Sequence, residues 1–323
     1  MSRELLLMQH GHLDKSIDEK LKPELSDKGK RSAQRMGVWL SANKLLPDHI
    51  ICSPVSHVKT TAQKTCKTAG LNAHKIQLNK DLVDVSASDL IDIIKTCPEK
   101  AKRILIVGNN PSLESALTKL SRTNVPRTKK DKILSPAALA HLRIACSWSK
   151  VSDNCAELSQ IVYPKTLPKL FPYPDVNGSE GRVRPAYYYR QSCVIPYRIK
   201  KGRPEILIIS SSSGKHWVVP KGIHDPGLSA QESAANEAYE EAGVEGRVAA
   251  REIGSYQYAK WEATCKVSVY PMEASHVLDE NDWEERHRGR RWVMLEEAVK
   301  LINNPDLANI IAKLPDFLGH QKK

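Results

Sequence analysis

Glu237, Glu240 and Glu241 stand at positions i, i+3 and i+4 of one stretch of chain. Residues so spaced share a face of an α-helix. Three carboxylates on one face repel one another, and either water or a divalent cation must offset that repulsion. A solvated acidic face is the ordinary reading of three helical glutamates. The preceding loop shifts the balance here, because Gly222 and Gly227 let the backbone turn tightly and approach a ligand closely. Hard oxygen ligands suit Mg2+, with Mn2+ as the alternative, and Mg2+ usually keeps waters while binding substrate phosphates. Such an ion polarises a phosphoryl oxygen and activates water.

The helix that must carry these side chains has clear ends. Ser229 followed by Glu232 forms a capping box, and Gly243 is a natural left-handed stop. Between them Ala234, Ala235, Ala238 and Ala242 are small enough to let the helix lie close to a sheet.

The whole stretch resembles the Nudix signature, G-x5-E-x7-R-E-U-x-E-E-x-G-U, with U a bulky aliphatic residue. Gly222, Glu237, Glu240, Glu241, Gly243 and Val244 fall in register with it. Leu228 stands where the first glutamate belongs, Asn236 where the arginine belongs, and Ala238 is smaller than the usual aliphatic. In the family that glutamate and arginine support the loop as an ion pair. Replacing both strands no buried charge, which is gentler than replacing one. Glu232 or Asp225 could stand in for the missing carboxylate, although capping and loop solubility are the simpler roles. The resemblance implies an α+β fold, an α/β/α sandwich, with Glu237, Glu240 and Glu241 as catalytic and metal-binding residues. It implies a hydrolase acting on acid anhydrides in phosphorus-containing compounds, with a phosphorylated small molecule as partner. Trp217 to Gly222 resembles the strand and loop entering many Nudix boxes. Trp283 to Arg286, Arg288 and Arg290 to Trp292 resemble the diphosphoinositol-polyphosphate and dinucleoside-polyphosphate branch. Lys221, Gly222, Lys260, Arg286 and Arg288, with Lys215 and Lys266, are the candidates for holding a polyphosphate through charge-assisted contacts. The substrate classes that follow are nucleoside, dinucleoside and inositol polyphosphates. The alternative is a sensor or scaffold that binds a phosphorylated ligand without turnover.

A second set of motifs lies near the amino terminus. Leu6-Leu7-Met8-Gln9-His10-Gly11 resembles the R-H-G motif of the histidine phosphatase superfamily, the SixA-type phosphohistidine phosphatases in particular. Leu25 to Gly29, Ser53-Pro54 with Thr60 to Ala62, and Ile106 to Leu113 resemble three further motifs of that family in the same order. The resemblance implies a three-layer α/β domain and a nucleophilic role for His10. The rest of the pocket departs from the pattern. Gln9 replaces one arginine, His57 the other, and Asn109 the second histidine. Phosphoryl transfer depends on fixed positive charge at the equatorial oxygens. Gln9, His10, His57 and Asn109 are therefore expected to form a degenerate pocket, serving scaffolding, homodimerisation or ligand sensing. Residual phosphohistidine or phosphomonoester hydrolysis at His10 is the rival expectation.

The elements that position these residues divide into two sets. Short apolar runs at Leu5–Met8, Ile50–Cys52 and Ile104–Val107 alternate with a helical pattern at Ser32–Leu40 and predict a mostly parallel sheet covered by helices. Pro164, Pro168, Pro172, Pro174 and Pro185, with Asn177-Gly178-Ser179, read as a linker or strap. Beyond it, strands are expected at Ser192–Tyr197, Ile206–Ile209, Cys265–Tyr270 and Arg291–Met294, with a last helix from Leu295. The expected domains are residues 1–165, a linker 166–187, and residues 188–323.

The chain of 323 residues suits two cores, and 41% hydrophobic with 27% charged residues fits globular domains rather than disorder. Its formal net charge of +12 favours anionic partners. No RNA-recognition motif and no basic stripe interleaved with aromatics accompanies that charge, so nucleic acid is not an expected partner. No apolar stretch is long enough to span a bilayer, and no signal peptide is read at Met1. Seven scattered cysteines without a C-x-x-C pair argue against a disulfide framework or zinc site and for a reducing, cytoplasmic setting.

Overall fold

The computed structural model describes residues 2–14, 23–128, 131–175 and 178–320. Asn177, part of the predicted linker, lies outside them. The chain divides into two compact units, residues 1–171 and 172–323.

The first unit contains β1 (Arg3–Gln9), α1 (Asp27–Ala42), β2 (His49–Cys52), α2 (Ser56–Thr68), β3 (Gln77–Leu78), α3 (Ala87–Lys95), β4 (Arg103–Gly108), α4 (Ser112–Leu120), β5 (Leu139–Ile144) and β6 (Ala156–Val162). Its sheet runs β3-β2-β4-β1-β5-β6. The predicted parallel pairs form its centre, β1 with β4 and β2 with β4. β5 and β6 add an antiparallel edge that the alternation of strands and helices had not signalled. Alternation along β1 explains the three layers. Leu5 and Leu7 point to a core shared with α3 and α4, while Leu6 and Met8 point to one shared with α1 and α2. With both faces covered, the strand reads as a continuous apolar run. The predicted helix at Ser32–Leu40 is the inner part of α1, whose start is capped by Ser26 Oγ accepting from Gly29 N–H.

The second unit contains β7 (Phe171–Asp175), β8 (Gly178–Arg182), β9 (Arg190–Lys200), β10 (Arg203–Ser210), β11 (Trp217–Val218), β12 (Lys221–Ile223), α5 (Ala230–Ala242), β13 (Val244–Val248), β14 (Gly254–Lys260), β15 (Ala263–Val277), β16 (Arg290–Met294), α6 (Leu295–Leu301), α7 (Pro305–Ala312) and α8 (Leu314–His320). Eight strands form its main sheet, centred on the parallel pair β9 and β15. Val194, Leu207 and Met272 face the alanines of α5, while Cys193, Ile195 and Ile208 face α7. The result is the expected α/β/α sandwich.

Two local expectations change. Much of the stretch 166–187, expected as a linker, carries structure: β7 pairs with β8, and Ala186–Tyr189 forms a 3-10 turn. Aromatic rings tie this segment to the second unit, with Tyr188 and Tyr189 packed edge-on against Trp261 at centroid distances of 5.4 and 6.3 Å. The single helix expected from Leu295 is three helices. Asn304 Oδ1 accepts from Leu307 N–H at 2.9 Å, and Pro305 opens α7, so the chain stops and restarts there. Among the described residues no helix is long and apolar enough to cross a membrane.

The Asn304 cap holds a helix that buries Leu307, Ile310 and Ile311. Asn304→Ala is expected to destabilise the second unit by about 1 kcal/mol, and Asn304→Asp to leave it nearly unchanged. Urea denaturation of the full chain checks this, and equal loss in both variants would contradict the capping role.

Candidate functional site

The three glutamates lie on α5, which leaves a tight loop at Ser229 and ends at Gly243. The predicted capping box is present: Ser229 Oγ accepts from Glu232 N–H at 3.1 Å, and Glu232 Oε2 accepts from Ser229 N–H at 2.7 Å. Glu232 thus serves the cap. Gly243 adopts φ +58°, and its carbonyl and that of Ala242 accept from Arg290 Nη1 at 3.2 and 2.7 Å. The same guanidinium lies 4.9 Å over the Trp283 ring and also reaches the Leu278 carbonyl. A cation at a helix carboxyl end is favoured by the helix dipole.

The loop before α5 is held without the signature ion pair. Leu228 N–H donates to the Asp225 carbonyl at 3.1 Å, His224 Nε2 donates to the Leu228 carbonyl at 2.9 Å, and Asp225 N–H donates to Ser233 Oγ at 3.0 Å. Main-chain turns and the His224 and Ser233 side chains take the place of that pair.

β12 packs beside α5 and sets two of the glutamates. Lys221 N–H donates to Glu241 Oε2 at 2.9 Å. Gly222 lies directly under the Glu237 carboxylate, and a Cβ added there would fall on that group. A glycine is required because the carboxylate occupies the place of its side chain. Glu237 is largely buried among like charges. Burial first, then Glu241, Glu240, Asp225 and Glu285, push its carboxyl up to about 8. Glu241 is also raised by burial, opposed by the Lys221 N–H and by Arg288. Arg288 Nη2 lies 2.8 Å from Glu241 Oε1, and Arg288 Nε lies 2.6 Å from Glu285 Oε2. Glu285 N–H donates to the Glu240 carbonyl at 3.1 Å. Glu240 itself is exposed. Among the described residues no three His, Cys, Asp or Glu side chains converge closely enough to hold a metal ion as they stand. The glutamates share a helix and a charge environment, and each has a different immediate setting.

Of the predicted phosphate-binding residues, Lys221, Gly222 and Arg288 are brought to the glutamates. Lys260 and Arg286 are engaged elsewhere. Lys260 lies 4.4 Å over the Trp261 ring at the tip of the β14–β15 hairpin, and Arg286 Nη1 donates to the Asn281 carbonyl at 2.8 Å. Lys221 links the carboxylates to a cavity of about 400 Å³ lined by His216, Trp217, Tyr256, Tyr258 and Asn303. Its Nζ donates to Gln191 Oε1 at 2.9 Å and to the Tyr258 hydroxyl at 3.1 Å, and that hydroxyl donates to Gln191 at 2.8 Å. Gln191, Tyr258 and the site roles of Arg290 and Glu285 were missed from the sequence. Only the alternation of β9, which places Gln191 beside the β12 register, carries a hint of them.

In the first unit Gln9, His10 and Asn109 follow the carboxyl ends of β1 and β4, where parallel sheets place ligands. His10 Nδ1 donates to the Gly11 carbonyl at 2.7 Å, so the neutral ring keeps its lone pair on Nε2. Burial lowers the His10 pKa, opposed by the Gly11 bond and aided by His57 and His12. His57 packs edge-on at 4.6 Å from His10, and its Nδ1 donates to the Pro23 carbonyl at 3.3 Å. The Gln9 amide nitrogen turns toward the Leu134 and Ser135 carbonyls. His10 and His57 are in ring contact, Gln9 and Asn109 stand at the ends of β1 and β4, and none of the four supplies a guanidinium.

Comparison with known proteins gives the following. A family pattern described as NUDIX domain matches residues 189–314. Nudix hydrolase 21, chloroplastic, of Arabidopsis thaliana is 38% identical over 125 residues, 36% of this chain and 61% of that protein. Nudix hydrolase 16, mitochondrial, of the same plant is 34% identical over 153 residues, 41% of this chain and 83% of that protein. Human diphosphoinositol polyphosphate phosphohydrolase 3-alpha is 27% identical over 135 residues, 40% of this chain and 80% of that protein. A solved structure of the protein histidine phosphatase SixA complexed with tungstate is 14% identical, covers 50% of this chain and 98% of its own, and has a TM-score of 0.43.

A carboxyl raised to about 8 from an ordinary 4.5 favours folding fully below the ordinary value, and that favour is lost as pH rises through 8. Without divalent metal, Glu237→Gln is therefore expected to melt a few degrees above the wild type at alkaline pH. At about pH 4 the two should melt together. Melting curves in chelator across pH check this, and a pH-independent difference would contradict it.

Proposed function

The chain belongs to the Nudix hydrolase family, and from that premise we propose that its second unit hydrolyses a pyrophosphate bond of a nucleoside or dinucleoside polyphosphate with Mg2+ held by Glu237, Glu240 and Glu241. One observation carries the reading: Lys221 joins the acidic helix, through its main-chain N–H on Glu241, to a ring-lined cavity, through its Nζ. The donor set fits a hard divalent cation. Burial first and neighbouring carboxylates second push the Glu237 carboxyl up to about 8, and a bound cation would offset both. When bound, the ion polarises a phosphoryl oxygen and makes water a better nucleophile. The remaining steps belong to the chain. Gly222 leaves room for the Glu237 carboxylate, the Lys221 N–H orients Glu241, and the Lys221 Nζ offers charge-assisted contacts to phosphate oxygens.

The cavity supports the nucleoside classes over inositol polyphosphates. Trp217, Tyr256 and Tyr258 present rings, Asn303 and Asn304 present neutral amides, and Lys221 is the lysine among its lining residues. A planar uncharged base suits such walls. An inositol ring carrying many phosphates requires several cations there. The relative named for diphosphoinositol polyphosphates makes that class the necessary control.

A panel of nucleoside, dinucleoside and inositol polyphosphates, each with Mg2+ and with chelator, tests the reading. Mg2+-dependent release from a nucleoside class is expected, and Glu240→Gln should lower kcat about a hundredfold or more. Release from inositol polyphosphates alone would refute the substrate class. Release from nothing, or release indifferent to Glu240→Gln, would refute the enzyme reading.

For the first unit the supported role is non-catalytic, because Gln9, His57 and Asn109 leave the transferring phosphoryl group without guanidiniums. The Nε2 lone pair of His10, left by the Nδ1 bond to the Gly11 carbonyl, favours a second reading, residual phosphohydrolase activity. Incubation with a phosphoramidate and mapping of the phosphorylated residue separates them. No label on His10 is expected, and label that disappears in His10→Ala would establish the second reading.

A further inference from the structure

Both oxygens of Glu241 are engaged. Oε2 accepts from the Lys221 N–H at 2.9 Å, and Oε1 faces Arg288 at 2.8 Å. The two partners differ in freedom. The Lys221 amide belongs to β12, fixed in register with β9 through the pair Lys221 and Cys193. Arg288 belongs to the segment between β15 and β16, and a long side chain connects it to Glu241. The Glu241 and Arg288 side chains are each only 11% exposed. Such a shielded pair separates only when other charges replace the partners.

We propose that Arg288 is the internal counter-ion of Glu241, displaced by the divalent cation when it binds and thereby released to hold the substrate's phosphate. The inference rests on the metal-hydrolase reading above. Three observations converge on it. A cation approaching Glu241 meets two partners already on its oxygens, and Arg288 is the charged and movable one that it repels. Glu285, Arg288's other partner, is 36% exposed and so screens the guanidinium less once Glu241 is withdrawn. A guanidinium beside the acidic helix then meets phosphate oxygens in the bidentate geometry that suits them. The segment has fixed points from which the side chain can move: Trp283 is buried under Arg290, and Glu285 N–H is bonded to the Glu240 carbonyl. The helix carries Asn236 where the signature has arginine, so the guanidinium near these glutamates arrives from this loop.

Two measurements on the full chain test the exchange. The first is calorimetric titration of Mg2+ alone into wild type and Arg288→Met. Removing a competing cation is expected to tighten Mg2+ binding about tenfold while kcat/KM falls. Equal or weaker Mg2+ binding by a variant whose circular dichroism and melting match the wild type would overturn the proposal. The second measurement needs no variant. Modification of the wild type by phenylglyoxal, mapped by mass spectrometry, should be slow at Arg288 without metal and several-fold faster with Mg2+. Unchanged or slower labelling would overturn the proposal. Failure of the parent reading looks different: no calorimetric Mg2+ binding and no Mg2+-dependent hydrolysis by the wild type.

Discussion

The site in the second unit is organised by repulsion. Burial first, then the neighbouring charges of Glu241, Glu240, Asp225 and Glu285, raise the proton affinity of Glu237, and burial together with Glu285 raises that of Glu241. A compact protein tolerates this only where positive or polar groups are built into the surrounding backbone. Here those groups are the Lys221 main-chain N–H and the Arg288 guanidinium, both on Glu241. Among the described residues Glu237 has no comparable hydrogen bond or ion pair, and it rests against Gly222. The electrostatic cost is therefore greatest at one carboxylate, the one whose space depends on a glycine.

That constraint reaches outward into the fold. β12 is three residues long, yet its pairing with β9 fixes the amide that holds Glu241 and the glycine that admits Glu237. α5 is placed by Ala234, Ala238 and Ala242, which allow close contact with the sheet, and its two ends are closed by the Ser229 box and by Arg290. A helix with weak apolar character is thus positioned mainly by its caps and by the smallness of its buried face. The loop before it gains from main-chain turns what the signature obtains from an ion pair. This explains how Leu228 and Asn236 coexist with an ordered loop.

Sequence reading reached the parts that short-range rules govern. The capping box, the left-handed Gly243 and the buried strands of both sheets follow from spacing and composition within a few residues. The antiparallel β5 and β6 were not legible, because a strand's pairing direction depends on partners distant in sequence. The break between α6 and α7 was written in Asn303-Asn304-Pro305 and was passed over in favour of the apolar run around it. At the site, Lys221 and Arg288 contact Glu241, while Lys260 and Arg286 have partners of their own. Charge alone could not separate these pairs, since a long cation settles on whichever ring or carbonyl the tertiary fold presents. Gln191, Tyr258 and the role of Arg290 escaped notice for the same reason: each acts through contacts across thirty or more positions of sequence.

The two units illustrate opposite fates of a charged pocket. In the first, the backbone that delivers His10 is complete. β1 ends beside β4, the His10 N–H donates to the Gly108 carbonyl, and the Gly11 carbonyl sets the ring tautomer. Gln9 and His57 stand where the motif resemblance would place arginines, and neither carries fixed positive charge; the Gln9 amide faces the Leu134 and Ser135 carbonyls. Geometry persists there because strand pairing and apolar packing enforce it independently of the pocket's charge. In the second unit the converse holds. Leu228 and Asn236 stand in place of the signature pair, while the carboxylates remain and an arginine from another loop neutralises one of them. A fold can carry a site's shape without its charges, but a cluster of buried like charges cannot persist without some partner. The carboxylates of α5 are for that reason the stronger evidence of chemistry than the histidine of β1.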